Sequence, residues 1–249
     1  MNFLEALVKD VARILKDSRK TLALTGAGAS TESGIPDYRS QGTGLWQKYN
    51  PMEKASVTAL LSNPEEFYRF NLPRWSGYLQ AKPNATHFAL AKLEEKGLIY
   101  GIITQNIDGL HQRAGSKKVW EVHGHLRTCH CLECGRSYPF NELIEQFNQG
   151  VNPPKCFLCH GMLRPDVVLF EDPMSEDYYK ALQEMKDCDT LVVVGSSLQV
   201  YPVADLPRLA SRLVIINKEP TPWDYKAEVV VYEQAGRFLS ELLKHLGEN

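Results

Sequence analysis

The 249-residue chain lacks several features that would each place it in a broad class. No apolar run approaches the roughly 18 residues that a membrane-spanning helix needs. Neither charge is in large excess, because 28 basic residues face 30 acidic ones and the net charge is -2. That balance argues against bulk electrostatic binding to nucleic acid or to an anionic membrane. We therefore expect no membrane association and no direct nucleic-acid binding.

The N-terminal segment lacks the uninterrupted apolar stretch of a secretory signal, because charged residues occur throughout residues 1–17. Its apolar residues recur at helical spacing from Leu4 to Leu15, which predicts a docked amphipathic helix. A cytoplasmic location is the expectation. In such a chain, the 6 cysteines are more often metal ligands or free thiols than disulfides.

The first buried strand is predicted at residues 21–25, and it runs directly into Gly26-Ala27-Gly28. Glycines at a strand-to-helix turn let backbone N–H groups approach a pyrophosphate. The full Gly-x-Gly-x-x-Gly pattern fails at Thr31, and no acidic residue ends a second strand about 20 residues further on. Taken alone, the motif is a weak indication of dinucleotide binding, and a tight turn without a ligand stays open.

Polar side chains follow two other predicted strands. Gln105, Asn106 and Asp108 come after an apolar run that ends at Thr104, and His123 follows the run 119–122. Side chains just past the carboxyl ends of parallel strands line the ligand crevice of an open α/β sheet. An amide pair, a carboxylate and an imidazole gathered there suit a ligand with amide and sugar hydroxyl groups.

Apolar strands alternate with helices in the last third of the chain, which predicts a parallel sheet buried on both faces. Residues 40–80 differ, because they contain no β run and many aromatic residues. This stretch is predicted to be a helical insert whose aromatic side chains pack in a core.

Two Cys-x-x-Cys pairs, Cys131 with Cys134 and Cys156 with Cys159, are separated by 21 residues. Two such knuckles form a tetrahedral thiolate cage for zinc. Four thiolates fill the coordination shell of zinc, so a structural role is favoured over a catalytic one. The neighbouring Cys129, and a histidine beside each knuckle, leave the ligand register open, but the four paired cysteines are favoured, because a knuckle needs two intervening residues to turn both sulfur atoms inward.

An ordered set of motifs resembles the sirtuin family, and the likeness runs from about Thr21 to the C-terminal helix. These motifs are Gly26-Ala27-Gly28-Ala29-Ser30, Gly34-Ile35-Pro36-Asp37-Tyr38-Arg39, Thr104-Gln105-Asn106-Ile107-Asp108, His123-Gly124, the two Cys-x-x-Cys pairs, Gly195-Ser196-Ser197-Leu198 and Asn217. The resemblance implies an α/β fold in which a Rossmann-like, doubly wound parallel sheet carries a small domain made of a helical insert and a zinc ribbon.

The resemblance also implies domain boundaries. The Rossmann-like NAD-binding domain would comprise residues 1–39, 81–125 and 166–249. The small domain would comprise the helical insert, residues 40–80, and the zinc-binding module, residues 126–165. Substrate peptide and NAD would meet in the cleft between the two domains.

The implied activity is that of an NAD-dependent protein lysine deacetylase. Such an enzyme transfers the acetyl group from lysine to ADP-ribose and releases nicotinamide and O-acetyl-ADP-ribose. NAD would be consumed as a co-substrate, zinc would be structural, and acetyl-lysine proteins or peptides would be the partners. We expect a monomer.

The resemblance assigns roles to individual residues. His123 would be the general base that activates a ribose hydroxyl, Asn106 would hold the nicotinamide ribose with Gln105, and Asp108 would bind the carboxamide. The implied cofactor-binding residues are Gly26, Ala27, Gly28, Asp37, Tyr38, Arg39, Gln105, Asn106, Asp108, Gly195, Ser196, Ser197 and Asn217. The residues expected to flank the acyl-lysine are Val168, Leu169, Phe170 and Val200. The implied zinc ligands are Cys131, Cys134, Cys156 and Cys159.

The sequence departs from the family pattern at several positions. Ala29 stands where isoleucine is usual, Tyr38 replaces phenylalanine, and Glu171 replaces the glycine of a Phe-Gly-Glu motif. The Tyr-x-x-Arg pair that reads acidic acyl groups is absent, because Tyr68 is followed three residues later by Asn71. The sequence therefore predicts a preference for acetyl over succinyl groups.

Other functions use some of the same features. An NAD-dependent protein ADP-ribosyltransferase would use the same pocket but would leave ADP-ribose on a protein. A zinc-ribbon scaffold without catalysis would need none of the polar residues at the strand ends. A hydride-transferring dehydrogenase is disfavoured, because no Tyr/Lys pair at suitable spacing is evident.

Overall fold

The computed structural model describes residues 3–40, 42 and 44–247. Its helices are α1 Phe3–Asp17, α2 Pro51–Lys54, α3 Val57–Ser62, α4 Pro64–Gln80, α5 Ala85–Glu95, α6 Leu110–Arg113, α7 Asn141–Asn148, α8 Glu176–Met185 and α9 Ala235–His245. Its strands are β1 Thr21–Thr25, β2 Gly101–Thr104, β3 Val119–Glu121, β4 Gly124–Cys131, β5 Ser137–Pro139, β6 Leu163–Val167, β7 Thr190–Val194, β8 Arg212–Ile216 and β9 Val229–Val231.

Six strands form one parallel sheet in the order β3-β2-β1-β7-β8-β9. Strand β1 lies in the middle of the sheet. Strands β2 and β3 lie on one side of it, and β7, β8 and β9 lie on the other side. This reversal between β1 and β7 is a topological switch point, where the carboxyl ends of adjacent strands leave a crevice. The predicted doubly wound α/β fold is confirmed.

Both faces of the sheet are covered, which explains why its strands are apolar throughout. Side chains alternate along a strand, so Leu22 and Leu24 of β1 enter a core with α8, whereas Ala23 enters a core on the opposite face. The second core contains α1, α5 and α9. As expected from its helical spacing, α1 buries Val8, Val11, Ile14 and Leu15.

A third core joins the helical insert to the cysteine-rich segment. Phe67, Tyr68 and Trp75 of α4 are buried in it, and the Trp75 ring lies 6.2 Å from the ring of Phe140, just before α7. The α4 helix begins with an Asn63 cap, whose side chain accepts a hydrogen bond from a main-chain N–H group of the first turn. The aromatic residues of the insert therefore serve mainly as core.

A second, antiparallel sheet has the order β5-β4-β6 and lies beside this third core. It carries the cysteine knuckles at its far end, while Gly124 at its near end pairs with Val167. Across the described parts of the chain, no helix combines the length and the apolar character needed to cross a membrane.

Candidate active site

Two cavities adjoin at the carboxyl edge of the parallel sheet. We call the first, of about 300 Å³, the Asp108 cavity and the second, of about 480 Å³, the Asn217 cavity, after one lining residue of each. They share a common wall. The residues that line both cavities are Ala27, Tyr38, Arg39, Gln105, Asn106, His123 and Val200.

The predicted site residues divide between these two cavities. Those that line only the Asp108 cavity are Asp108, Val168, Leu169 and Phe170. Those that line only the Asn217 cavity are Gly26, Gly28, Asp37, Gly195, Ser196, Ser197 and Asn217. The structure thus brings every predicted cofactor and substrate residue to one continuous region, at the switch point of the sheet.

Ser30 connects two of the predicted site residues. Its hydroxyl group donates to Oδ2 of Asp108 over 2.7 Å, and the Asn106 side-chain amide donates to the Ser30 oxygen over 3.0 Å. The same Asn106 amide donates to the carbonyl oxygen of Gly26 over 3.0 Å. The Asn106 amide and the Asp108 carboxylate are therefore oriented through one hydroxyl group.

Ser30 also contacts a buried histidine, His87. Nδ1 of His87 accepts from the main-chain N–H of Asn84, so the Nε2 atom of the neutral ring carries its proton and faces the Ser30 oxygen at 3.3 Å. Burial lowers the pKa of His87 to about 4, so the ring is neutral near pH 7. The sequence assigned neither His87 nor Ser30 a role in the site. No local pattern links two residues 57 positions apart.

The Asp108 carboxylate is buried, and its surroundings act on its pKa in opposite directions. Burial raises the pKa, whereas hydrogen bonds from the Leu110 N–H group and the Ser30 hydroxyl group lower it; burial prevails. The Leu110 N–H group lies 2.9 Å from Oδ1. Each carboxylate oxygen retains a second lone pair, so Asp108 can accept from a further donor inside the cavity.

The His123 ring lies on the wall that the two cavities share. Its Nδ1 atom is 3.1 Å from the carbonyl oxygen of Gln105, to which it donates. The pKa of His123 is lowered to about 4: burial lowers it most, the bond to Gln105 opposes this effect, and the nearby Arg39 charge adds to it. The ring is therefore neutral near pH 7, and the lone pair of Nε2 is free to take a proton.

The glycines beside β1 allow two loops to touch. A Cβ atom on Gly28 would lie 2.8 Å from Cα of Gly195, and one on Gly195 would lie 2.3 Å from the Ala29 nitrogen. The Gly28 N–H group donates to the Gly195 carbonyl oxygen over 2.8 Å, so it is not free for a phosphate. Gly28 therefore permits close loop packing, a purpose that the dinucleotide motif did not predict.

The loop after β1 contributes three predicted residues by different means. Asp37 forms a turn, because its Oδ1 atom accepts from the N–H groups of Arg39 and Ser40. The Tyr38 ring stacks on Trp46 with 5.2 Å between ring centroids. Burial lowers the pKa of Arg39, whose side chain lines both cavities.

The segment after β6 forms the other wall of the Asp108 cavity. The Val168 N–H group donates to the His123 carbonyl oxygen over 2.8 Å, which ties this segment to the histidine. Phe170 forms an isolated bridge with Ser56. Glu171 adopts a left-handed backbone conformation, with φ of 77°, and its carboxylate accepts from the Thr58 N–H group over 2.8 Å. That bond holds a non-glycine residue where the family pattern has glycine.

Four cysteines form a candidate zinc centre at the tips of the antiparallel sheet. The sulfur atoms of Cys131, Cys134, Cys156 and Cys159 all lie within 4.8 Å of one another. Two of the separations are 3.4 and 3.7 Å, which suits four thiolates at about 2.3 Å from one zinc ion. Cys129 lies apart, with its thiol directed at the Pro139 carbonyl oxygen, so the ligand register left open by the sequence is resolved.

Comparisons with known proteins agree with one another. The family model described as the Sir2 family matches residues 26–202. The "NAD-dependent protein deacetylase 2" of Caldanaerobacter subterraneus subsp. tengcongensis is 51% identical over 236 residues, which cover 95% of this chain and 94% of that protein. The "NAD-dependent protein deacylase 2" of Archaeoglobus fulgidus is 41% identical over 249 residues, covering 98% and 97%.

Solved structures show the same likeness. A Sir2 structure with a deacetylated p53 peptide and 3'-O-acetyl ADP ribose superposes with a TM-score of 0.93 at 40% identity, covering 97% of this chain and 99% of that one. A structure described as Sir2, p53 peptide and NAD+ has a TM-score of 0.89 at 40% identity, covering 96% and 98%.

Proposed function

This chain belongs to the Sir2 family, and on that premise we propose which of its residues carry out the family's reaction. The chain is an NAD-dependent protein lysine deacetylase, which transfers an acetyl group from lysine to ADP-ribose and releases nicotinamide. One observation supports the proposal most directly: His123 and Asn106 stand on the wall that the Asp108 cavity and the Asn217 cavity share.

We assign NAD to the Asn217 cavity and to the adjoining part of the Asp108 cavity. Gln105 and Asn106 hold the nicotinamide ribose, and Ser196, Ser197 and Asn217 bind the remaining ribose and phosphate groups. A Gln105 side-chain amide bond to Ser196, of 2.9 Å, already joins two of these residues. Bound NAD supplies a ribose carbon that accepts the acyl oxygen once nicotinamide has departed.

Asp108 orients the departing group in this proposal. Because the acyl oxygen is a poor nucleophile, the glycosidic bond has to be weakened by precise orientation of the ribose and of the carboxamide. Asp108 is held by Ser30 and Leu110, and it faces the Asp108 cavity, where it accepts from the carboxamide N–H group. Ser30 positions the Asp108 carboxylate, and His87 positions Ser30.

His123 is the general base. With its pKa lowered and Nδ1 donating to Gln105, it presents an unprotonated Nε2 atom to the shared wall. That atom takes the proton from a ribose hydroxyl group, which then attacks the acyl carbon. Val168, Leu169, Phe170 and Val200 flank the acylated lysine, because all of them line the region next to His123.

The role of zinc in this proposal is structural. The four sulfur atoms of the cage would complete the coordination shell of a zinc ion and would leave no position for a reacting water molecule. We propose that residues 126–165 form a zinc module that docks on the insert, residues 40–80, and that residues 1–39, 81–125 and 166–249 form the NAD-binding domain. The third core supports this division, because it joins α4 to the cysteine-rich segment.

We also propose that the chain acts as a monomer in the cytoplasm and does not bind nucleic acid directly. Six free cysteines, four of them suited to zinc, are consistent with a reducing compartment. The net charge of -2 favours protein substrates over polyanions. Light scattering and cell fractionation test the oligomeric state and the compartment.

One assay tests the reaction. Purified enzyme is incubated with NAD, with and without an acetyl-lysine peptide, and the products are identified by mass spectrometry. We expect nicotinamide release that requires the peptide, together with O-acetyl-ADP-ribose. If ADP-ribose became attached to a protein instead, the chain would be an ADP-ribosyltransferase and the proposed roles of Phe170 and Val200 would be wrong.

A further inference from the structure

The proposed general base, His123, lies on a link of only two residues between the two sheets. Strand β3 of the parallel sheet ends at Glu121, and strand β4 of the antiparallel sheet begins at Gly124. Val122 and His123 are therefore the whole connection. A change in the angle between the sheets would turn the His123 ring directly, because no longer loop absorbs the movement.

A bidentate ion pair closes this link. The Arg127 guanidinium group donates through Nη1 to Oε1 of Glu121 over 2.8 Å, and through Nη2 to Oε2 of the same carboxylate. Arg127 lies on β4, so the pair joins the last residue of β3 to the antiparallel sheet across His123. Two parallel bonds fix both the distance and the orientation of the two groups, which a single bond does not do.

The Glu121 carboxylate depends on this partner. Its side chain is 4% exposed, whereas that of Arg127 is 51% exposed. Within residues 3–40, 42 and 44–247, Arg127 is the one residue that forms an ion pair with Glu121 at 4.0 Å or less. A buried carboxylate without a cation is costly, because no hydration compensates its charge. The buried charge therefore keeps the more exposed guanidinium group in place.

The β3 side of the link is held by residues at the start of α8. The Ser175 hydroxyl group lies within donating distance of two carbonyl oxygens, at 3.1 Å from that of Glu121 and 3.0 Å from that of Val122. The Glu121 N–H group donates to Oδ2 of Asp177 over 3.1 Å. Glu121 is thus fixed relative to the parallel sheet, and its carboxylate offers Arg127 a defined position.

The β4 side of the link is connected to the third core and to the site. The Arg127 carbonyl oxygen accepts from the Phe140 N–H group over 2.9 Å, and Phe140 is buried in the third core. The Leu126 N–H group donates over 3.2 Å to the carbonyl oxygen of Ile107, which lines the Asp108 cavity. Arg127 therefore ties the link that carries His123 to the packing on the other side of the cleft.

We propose that Arg127 is a positioning residue for acetyl transfer: its two bonds to Glu121 set the angle between the two sheets and so direct the His123 ring at the ribose hydroxyl group. Neither Arg127 nor Glu121 is among the described residues that line the two cavities, so the pair acts through His123 and not by contact with a ligand. The inference rests on the proposed function, because it requires His123 to be the base.

The two halves of the proposed reaction depend on His123 differently. Attack by the acyl oxygen and departure of nicotinamide need an oriented ribose and an oriented carboxamide, but no base. Proton transfer from the ribose hydroxyl group needs His123. A misdirected His123 ring should therefore slow the formation of O-acetyl-ADP-ribose, while labelled nicotinamide still returns into NAD. A general loosening of the fold would slow both processes.

Arg127→Lys tests the two parallel bonds alone, because lysine keeps a positive charge beside Glu121 but has no planar pair of donors. The measurements use the full chain with its zinc, NAD and an acetyl-lysine peptide. Single-turnover formation of O-acetyl-ADP-ribose should fall about 10- to 100-fold, the effect expected when a reacting group is displaced by about 1 Å. Exchange of labelled nicotinamide into NAD should stay close to the wild-type rate.

A double variant, Glu121→Met with Arg127→Met, gives a second test that does not leave a buried charge unpaired. Because both partners are replaced by apolar side chains, the melting temperature should stay near the wild-type value. The bonds that fix the link are nevertheless absent. We therefore expect the same loss of product formation, with nicotinamide exchange and a zinc content of one ion per chain both retained.

Arg212→Lys is the matched control. The Arg212 guanidinium group also forms a bidentate pair, because Nε and Nη2 donate to the Glu228 carboxylate over 3.0 and 3.2 Å. Arg212 begins β8, which β2, β1 and β7 separate from β3 in the parallel sheet. Loss of this second bidentate pair should change neither product formation nor nicotinamide exchange.

Two results would overturn the inference. One is unchanged product formation in both Arg127→Lys and the double variant. The other is an equal loss of product formation and of nicotinamide exchange in either variant at an unchanged melting temperature, since the pair would then support the whole cleft and not the base. A wild type that neither exchanges nicotinamide nor forms O-acetyl-ADP-ribose would overturn the proposed function itself.

Discussion

The Nδ1 atom of His123 lies 3.1 Å from the carbonyl oxygen of Gln105. Because a carbonyl oxygen can only accept, Nδ1 carries the ring proton and the lone pair belongs to Nε2. Burial lowers the pKa of the ring to about 4, which keeps that lone pair available at neutral pH. The residue that precedes Asn106 therefore sets the tautomer of the base through its main chain, while its side chain bonds to Ser196.

Replacement of His123 by alanine should abolish the step that needs a base. We expect the rate of O-acetyl-ADP-ribose formation to fall about 100- to 10,000-fold, the usual contribution of a positioned general base. The measurement is single-turnover product formation with saturating NAD and acetyl peptide. His125→Ala, two residues away, should retain most of the rate. If the two variants lost activity equally, His123 would not be the base.

Acid should destabilise the fold through the two fully buried histidines, and His123, whose pKa is also lowered, should add to the effect. Burial lowers the pKa of His87 to about 4 and that of His111 well below its usual value of 6.5. The unfolded chain protonates these rings near pH 6.5 and the folded chain does not, so stability is lost as the pH falls from about 6.5 toward 4. Each ring contributes up to about 1.4 kcal/mol per pH unit.

Urea unfolding at pH 7 and at pH 5 measures this effect. The two rings together should lower the free energy of unfolding at pH 5 by a few kcal/mol, with the unfolded state taking up the additional protons. A free energy of unfolding that stayed constant, or rose, over this interval would mean that neither ring is neutral and buried in the folded protein.

Loss of one cysteine ligand should remove zinc and destabilise the antiparallel sheet. Cys134→Ser is expected to lower zinc content from one ion per chain toward zero, and to lower Tm by about 10 °C or more, because structural zinc contributes directly to folding. Cys129→Ser is the matched control, since its thiol faces Pro139, and zinc content should stay at one. Equal zinc loss in both variants would contradict the assigned ligands.

Two glycines with similar backbone angles should respond differently to alanine. Gly195 has φ of 61° and a Cβ there would lie 2.3 Å from the Ala29 nitrogen, whereas Gly135 has φ of 71° with open space around it. Gly135→Ala should cost about 1–2 kcal/mol of folding free energy for the left-handed conformation alone. Gly195→Ala should cost about 1–3 kcal/mol more, for crowding between the two loops.

Denaturant unfolding of both variants tests that difference. Gly195→Ala should also weaken NAD binding, because the loop that carries Ser196 has to shift away from Gly28. Equal destabilisation of the two variants would show that the two loops can move apart without any loss of folding free energy.

Local sequence patterns predicted the elements and most of the chemistry. The apolar strands and the amphipathic helix α1 follow from side-chain periodicity, which acts over a few residues. The spacing of the cysteine pairs predicted the four zinc ligands for the same reason. The polar residues after Thr104 and Val122 were recognisable as site residues, because side chains just past the carboxyl ends of parallel strands line the ligand crevice.

The relationships between these residues depended on the tertiary structure. Ser30 joins Asp108 across 78 positions, and the Gln105 side chain joins Ser196 across 91 positions. The sequence by itself determined which side chains follow each strand and where the two Cys-x-x-Cys pairs lie. The order of the strands and the docking of α4 decided which side chains share a cavity. Residues far apart in the sequence are brought together by packing, which local periodicity does not encode.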